Sequence, residues 1–463
     1  MTDPIPPALL PALALALALS GCSLAPDFLR PAAPVPAAWP TQTADSAEAK
    51  PLPEDWREFF TDARLQALIS AALENNRDLR IAVARVEEAR ALAGLARADR
   101  FPAVDAGLQR QAAETPADLS PSGRRTFSQR FDANLGIVSY ELDFWGRLKN
   151  LDEAARAGFL ASDYARRAFR LGLIGDVAAA WYALRELEAR AALAEATVAS
   201  RFESRKLIGQ RRDVGLAGDL DYYAADGAWA AARAEASSLA RQKTAAENAL
   251  RLLVGTALPQ AAAGGGDPAQ TPVIRVGLPS EVLLRRPDVL AAEQRLIAAN
   301  ANIGAARAAF LPRIVLTVIA GSASPALSGL FHGGSSAWSF VPLLRYPLFD
   351  AGRAESGVDL AEARKNIAVA EYEKTLQQAF REVADLLDAR QRYAEQAAAL
   401  EAASEAQGER LQRVDARYKA GMSSYLELLD AQRELFAAQQ SALAARRALA
   451  ASAAGLYKAL GGG

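Results

Sequence analysis

Few residues in this sequence could carry chemistry. Its 463 residues include one histidine, His332, and one cysteine, Cys22. That leaves no material for a His-based triad, a multi-His metal site, a Cys cluster or an intrachain disulfide. The grouping with most chemical content is Leu426, Asp430 and Arg433, within Tyr418–Arg433, YKAGMSSYLELLDAQR. At spacings i, i+4 and i+7 they share one helix face. They follow Gly421, a helix stop, and Ser423-Ser424, a helix start. A carboxylate and a guanidinium on one exposed face are material for ion pairing, not for acid–base catalysis. An earlier segment, Arg212–Gly227, repeats the design: Gly215 matches Gly421, Leu220 matches Leu426, and Ala224 stands where Asp430 would be. Two helical hairpins with one turn design, about two hundred residues apart, indicate a duplication.

Composition narrows the class further. The formal net charge is -1, so nothing points to a nucleic-acid or anionic-membrane partner. Hydrophobic residues make up 51% of the chain with Ala foremost, and with Arg, Glu, Leu and Gln at helical spacing this reads as long helices or coiled coil. No cofactor and no metal is expected, and the chain is not expected to be an enzyme. Met1 and Met422 are the only methionines, which argues against a methionine-based copper path. Gly264–Gly266 and Pro268 read as a linker and not a phosphate loop, because no strand precedes them and no Gly-Lys-Ser follows. His332, in Phe331-His332-Gly333-Gly334, reads as an exposed loop residue.

The elements that must position the hairpin tips come in order. Residues 1–21 hold an apolar run, Ala8–Leu19, too short to span a bilayer and suited to a leader core. Asp3 is the only charge before it. Residues 22–55, rich in Pro, Ala, Thr and Ser, read as a tether. A first repeat is expected over 56–255: a helix from near Trp56, a β-hairpin over 101–144, and long helices over 148–212 and 218–254. Phe101-Pro102 ends the opening helix, and alternation follows at Val104, Ala106 and Leu108. A second alternating run, Phe127–Phe144, changes phase at Ile137-Val138. After a linker over 256–280, a second repeat is expected over 281–463, with a β-hairpin over 312–347 and long helices over 353–419 and 423–460. Pro342 and Pro347 count against the last strand. A helix of roughly sixty-five residues is about 100 Å long, more than one globular domain could wrap. The last helix carries two apolar seams, so it should touch two neighbours, as a member of a cylinder wall does.

Four strands of about ten residues match the length that crosses a bilayer at a tilt. Four strands cannot close a barrel, and an open edge in lipid leaves backbone groups unpaired at several kcal/mol each. Two copies would supply eight strands, whose side chains nearly fill the interior; three would supply twelve and leave a lumen. The competing reading is a soluble periplasmic coiled-coil scaffold lipoprotein without a pore, carrying two surface hairpins.

Leu19-Ser20-Gly21-Cys22 resembles the bacterial lipobox, which implies cleavage before Cys22 and lipid attachment there; Ser23, not Asp, then favours the outer membrane. With Phe144-Trp145-Gly146, Phe349-Asp350-Ala351-Gly352, the duplication and RYKAGMSSYLELLDAQRELFAAQQ from Arg417, the mature chain resembles the TolC-like outer membrane factors, most closely the NodT/OprM-type efflux lipoproteins. The resemblance implies a mainly α fold with a membrane β-barrel part: a homotrimer with a twelve-stranded barrel in outer-membrane lipid and a helical tunnel in the periplasm. It implies a periplasmic adaptor (membrane fusion) protein and an inner-membrane transporter, of RND type, as partners. It places a periplasmic gate at Leu426 and Asp430, with Arg433 in the ionic network that holds it closed. It also places adaptor contacts at the turns Val214-Gly215-Leu216 and Ala420-Gly421-Met422. Asp219 and Asp221 are the candidate acids of the first repeat.

Overall fold

The computed structural model describes residues 23–40, 53, 55–259 and 282–462. The leader, Cys22, most of the linker and part of the tether lie outside them. The chain forms two compact units.

The first unit comprises the described part of Met1–Ala32 together with Arg85–Asp163 and Ala291–Tyr372. Its centre is one antiparallel sheet of β1 (Val104–Thr115), β2 (Thr126–Leu142), β3 (Arg313–Ser324) and β4 (Ser336–Arg345), in that order. The two hairpins, far apart in sequence, are joined by the β2–β3 ladder, in which Leu135 lies opposite Ala320 and Ile137 opposite Val318. Among the described residues the outer edges of β1 and β4 have no partner strand. Pro342 sits within β4, opposite Leu316. A residue without an N–H is admissible there because an edge strand has one side with no ladder to supply.

The phase change at Ile137-Val138 is a β-bulge. Pairing with β3 jumps from Ile137 to Tyr140, and Ser139 takes φ 62. One extra residue twists the strand and resets its facing, so Tyr140 rejoins the face that Ile137 occupied. The register then sorts the sheet by polarity. Val104, Ile137, Val318 and Phe340 lie in one cross-strand row, and Ala106, Leu135, Ala320 and Trp338 in the next row of the same face. Between them, on the opposite face, run Asp105, Gly136, Ile319 and Ser339, then Gly107, Asn134, Gly321 and Ala337. In these rows one side is apolar and the other is mostly small or polar.

Around the sheet, Glu141 near the end of β2 is buried and held by Arg147 at 2.7 Å and by Arg313. Residues 23–30 lie along α6 (Pro287–Arg307): Arg30 pairs with Glu293 at 2.7 Å, Asn300 donates to the Pro26 carbonyl at 2.7 Å, and Ser23 donates to Asn150 at 2.7 Å.

The second unit comprises Ala33–Ala84, Tyr164–Leu290 and Glu373–Gly463. The helical pattern that opens at Trp56 is broken into α1 (Trp56–Phe59), α2 (Ala63–Asn75) and α3 (Arg77–Ala98) by polar caps. Asp62 accepts from Arg64 and Leu65 backbone N–H groups, and Asn76 accepts from Leu79 N–H at 2.8 Å. Each side chain satisfies a backbone donor that has no partner inside its helix. Trp56, Phe59, Leu65 and Ile69 pack with Ile174, Val177, Trp181, Leu250 and Tyr457 in one core. Most of two helical hairpins also falls in this unit. α4 (Arg147–Asp213) turns into α5 (Asp219–Val254), and α7 (Arg353–Lys419) turns into α8 (Tyr425–Ala459). Both α4 and α7 are 67 residues long. Among the described residues no helix is long and apolar enough to cross a membrane.

Candidate functional site

The two hairpin tips are built by the same local rule. In the first, Leu216 N–H donates to the Arg211 carbonyl and Gly215 N–H to that of Arg212, at 2.7 and 2.9 Å. In the second, Met422 N–H donates to Arg417 and Gly421 N–H to Tyr418, at 2.8 and 3.0 Å. This paired arrangement is the Schellman cap, and it requires a left-handed residue just past the helix. Gly215 and Gly421 supply it, at φ 77 and 75. A residue with a Cβ would be strained in that conformation. The return helices start differently. Ser424 caps α8 by accepting from Glu427 N–H at 3.2 Å, whereas Gly218 precedes α5 with no side-chain cap.

Apolar residues crowd the outside of both tips. Val214, Leu216, Leu220, Met422 and Leu426 are all exposed. Behind them Ile208, Ala225, Val414, Leu428, Leu429 and Ala431 form a closed core, and Arg211 donates to the Tyr418 hydroxyl at 3.3 Å. The tips are therefore anchored from within while presenting apolar side chains that bury nothing in this chain.

The three residues singled out from the sequence have different surroundings. Leu426 is exposed. Asp430 pairs across the hairpin with Arg410 at 2.6 Å, not with Arg433. Arg433 has no carboxylate partner among the described residues; it lies close enough to Arg201 to disfavour a second positive charge there. Glu427 is held by Ser423 and lies 3.7 Å from Arg417. Asp219 acts on Arg212 of its own hairpin. Arg410 was not singled out from the sequence, although it was findable: antiparallel helices pair residues about equally distant from their turn, and Arg410 and Asp430 stand so on either side of Gly421.

Arg201, on α4, is also part of this neighbourhood. It is 5% exposed and donates to Gln432 on α8. Burial and then Arg433 push its guanidinium below the usual arginine range, opposed by the Tyr425 phenol. Burial in turn pushes Tyr425 up, and its hydroxyl has no hydrogen-bond partner. Among the described residues no group of His, Cys, Asp and Glu could hold a metal ion.

A sheet with an apolar face and two open edges, in a chain that also has 67-residue helices, is the make-up of a membrane-channel protomer. The outer membrane efflux protein family model matches residues 68–256 and 278–462. The chain is 44% identical over 457 residues to outer membrane protein OprJ of Pseudomonas aeruginosa, covering 98% of this chain and 95% of that protein. It is 44% identical over 462 residues to the toluene efflux pump outer membrane protein TtgF of Pseudomonas putida, covering 97% and 96%. The open state of the Neisseria gonorrhoeae MtrE outer membrane channel superposes with a TM-score of 0.87 at 36% identity, covering 96% and 98%. The chain belongs to the outer membrane efflux protein family. It is an outer-membrane channel with a transport role, serving as an efflux exit duct; the pore-less scaffold reading falls.

Proposed function

We propose that three copies assemble into the exit duct of a tripartite efflux system, and that the duct is gated at its helical tips. The observation that carries this reading is the four-stranded sheet whose edges, β1 and β4, lack partners while one face is apolar. In lipid such edges must be closed by other copies, and three copies are the fewest whose strands enclose a water-filled lumen. The small and polar rows, with Asp105, Asn134 and Ser339, then line the lumen.

Residues 1–21 are removed in this reading and Cys22 carries the acyl anchor, with residues 22–55 as tether, 56–255 and 281–463 as the two repeats and 256–280 between them. Leu426 forms the steric ring of the gate and Asp430 its charged ring. Among the described residues Arg433 has no ion pair while Asp430 pairs with Arg410, so in this reading Arg410 takes the pairing role first expected of Arg433. The apolar turns Val214-Gly215-Leu216 and Gly421-Met422 meet the periplasmic adaptor, which couples the duct to an inner-membrane transporter of RND type. Exposed apolar side chains on a well-anchored scaffold suit such a contact.

The test is assembly and conduction together. Full-length protein extracted from outer membranes should run as a heat-modifiable oligomer, crosslink to trimers and no further, and conduct ions in planar bilayers. A detergent-stable monomer that does not conduct would refute the reading.

A further inference from the structure

Five charged side chains of the described residues are more than nine-tenths buried: Glu141, Glu186, Arg201, Arg286 and Glu293. Four are neutralised by the chain itself, Glu186 by Arg190 at 3.1 Å and Arg447 at 2.7 Å. Glu141 meets Arg147 and Arg313, Glu293 meets Arg30, and Arg286 meets Asp288 and Glu382 at 2.7 and 2.8 Å. Arg201 is the exception. Its one hydrogen bond goes to the neutral amide of Gln432, it has no ion pair, and the cation that acts on it, Arg433, carries the same sign. An arginine does not shed its proton in a protein, and a buried charge without a counter-charge costs several kcal/mol.

Arg201 also borders open space. Arg201 and Arg433 line one groove of about 700 Å³ between α4, α5 and α8. That volume lies in the range of small-molecule sites. The walls are apolar and aromatic, with Tyr223, Leu429 and Phe436 beside a run of Ala and Gly on α5 that leaves the space open. A side chain added at Gly227 would meet no atom within 4 Å. Glu235 also lines the groove, but it is not among the groups that act on Arg201.

We infer that this groove is a binding site for an amphipathic anion, a carboxylate on an apolar or aromatic body. The carboxylate sits between Arg201 and Arg433, where a guanidinium offers two parallel N–H donors, and the body lies against Leu429, Phe436 and Tyr223. The occupant supplies the counter-charge that the chain omits. Leu426 lines this groove as well as the proposed gate, whereas Asp430, the gate's charged residue, does not line the groove. A variant at Asp430 therefore separates the site from the gate.

The probe is 2-naphthoate, titrated calorimetrically into the purified full-length protein in a nonionic detergent, with uncharged 2-naphthamide as control. Naphthoate should bind saturably, one per chain, at least tenfold more tightly than the amide. Arg201→Met keeps length and apolar stem but removes the charge, so it should erase that preference. Ala232→Leu, which narrows the groove without touching either guanidinium, should weaken both ligands. Asp430→Ala should leave naphthoate binding unchanged. Equal binding of naphthoate by the Arg201→Met variant would overturn the proposal. So would absence of saturable binding in the parent protein; loss of oligomers in Arg201→Met beside it would make the counter-charge a carboxylate of a second copy.

Discussion

If Asp430 forms a charged ring, its loss should change conduction far more than stability. Its bond to Arg410 is short, at 2.6 Å, but both side chains are wet, 54% and 41% exposed. Exposed pairs of this kind contribute about 0.2–1 kcal/mol, and salt screens them within about 8 Å at physiological ionic strength. Asp430→Ala and Arg410→Gln should therefore each lower unfolding stability by no more than about 1 kcal/mol. On conduction the two should part. Removing the carboxylate deletes a negative ring and steric bulk, so single-channel conductance should rise and cation preference should fall. Removing Arg410 frees that same carboxylate from its counter-charge, so cation preference should increase. The assay is single-channel recording in planar bilayers at two salt concentrations, paired with thermal unfolding. Unchanged conductance and selectivity in Asp430→Ala would remove the gate role and leave Asp430 as a solvated partner of Arg410. A shift in the same direction for both variants would refute the charge argument while leaving a conformational one.

Three further outcomes follow from other parts of the molecule. Gly421→Ala should destabilise by about 1–2 kcal/mol through backbone strain alone, since an added Cβ there meets nothing within 4 Å; Gly421→Asn, better tolerated in the left-handed region, should cost less in the same thermal melts. The Tyr182 phenol is pushed up to about 12, by burial first and then by Asp62, against about 10 in the unfolded chain. Its neutral form is favoured in the fold, so this stability is intact below pH 10 and lost as pH rises to 12, at up to about 1.4 kcal/mol per pH unit. The difference between parent and Tyr182→Phe in alkaline denaturation should show that slope, and parallel curves would disprove it. On the sheet, Trp338→Lys places a charge on the apolar face and should reduce membrane assembly by up to about 2–4 kcal/mol. Asn134→Lys, on the other face, should assemble normally, and equal assembly of both in outer-membrane extracts would contradict the assignment of faces.

Local rules made several features legible in the sequence because neighbours along the chain decide them. A Gly after a long helical run, with an apolar residue behind it, already specifies the Schellman turns at Gly215 and Gly421. The break of alternation at Ile137-Val138 is the bulge itself, written as an extra residue. The near absence of His and Cys disfavours His- and Cys-based catalytic chemistry before any fold is known. The resemblance of the Arg417 segment to outer membrane factors pointed to the family that the full-length comparisons show.

Contacts between distant segments were decided only by tertiary structure. No period in the sequence joins β2 to β3, because ladder pairing between strands of different hairpins depends on how the repeats come together. Pro342 counted against a strand until β4 proved to be the last strand of the chain's own sheet, with a ladder inside the chain on one side only. Asp430 and Arg433 share a helix face by spacing, yet Asp430 turns to Arg410 on the neighbouring helix, because an antiparallel partner presents its guanidinium more closely than the next turn does. Arg201 carries no local mark at all. Its lack of a counter-charge is a property of three packed helices, and a sequence records charges without recording which of them end up out of reach of one another.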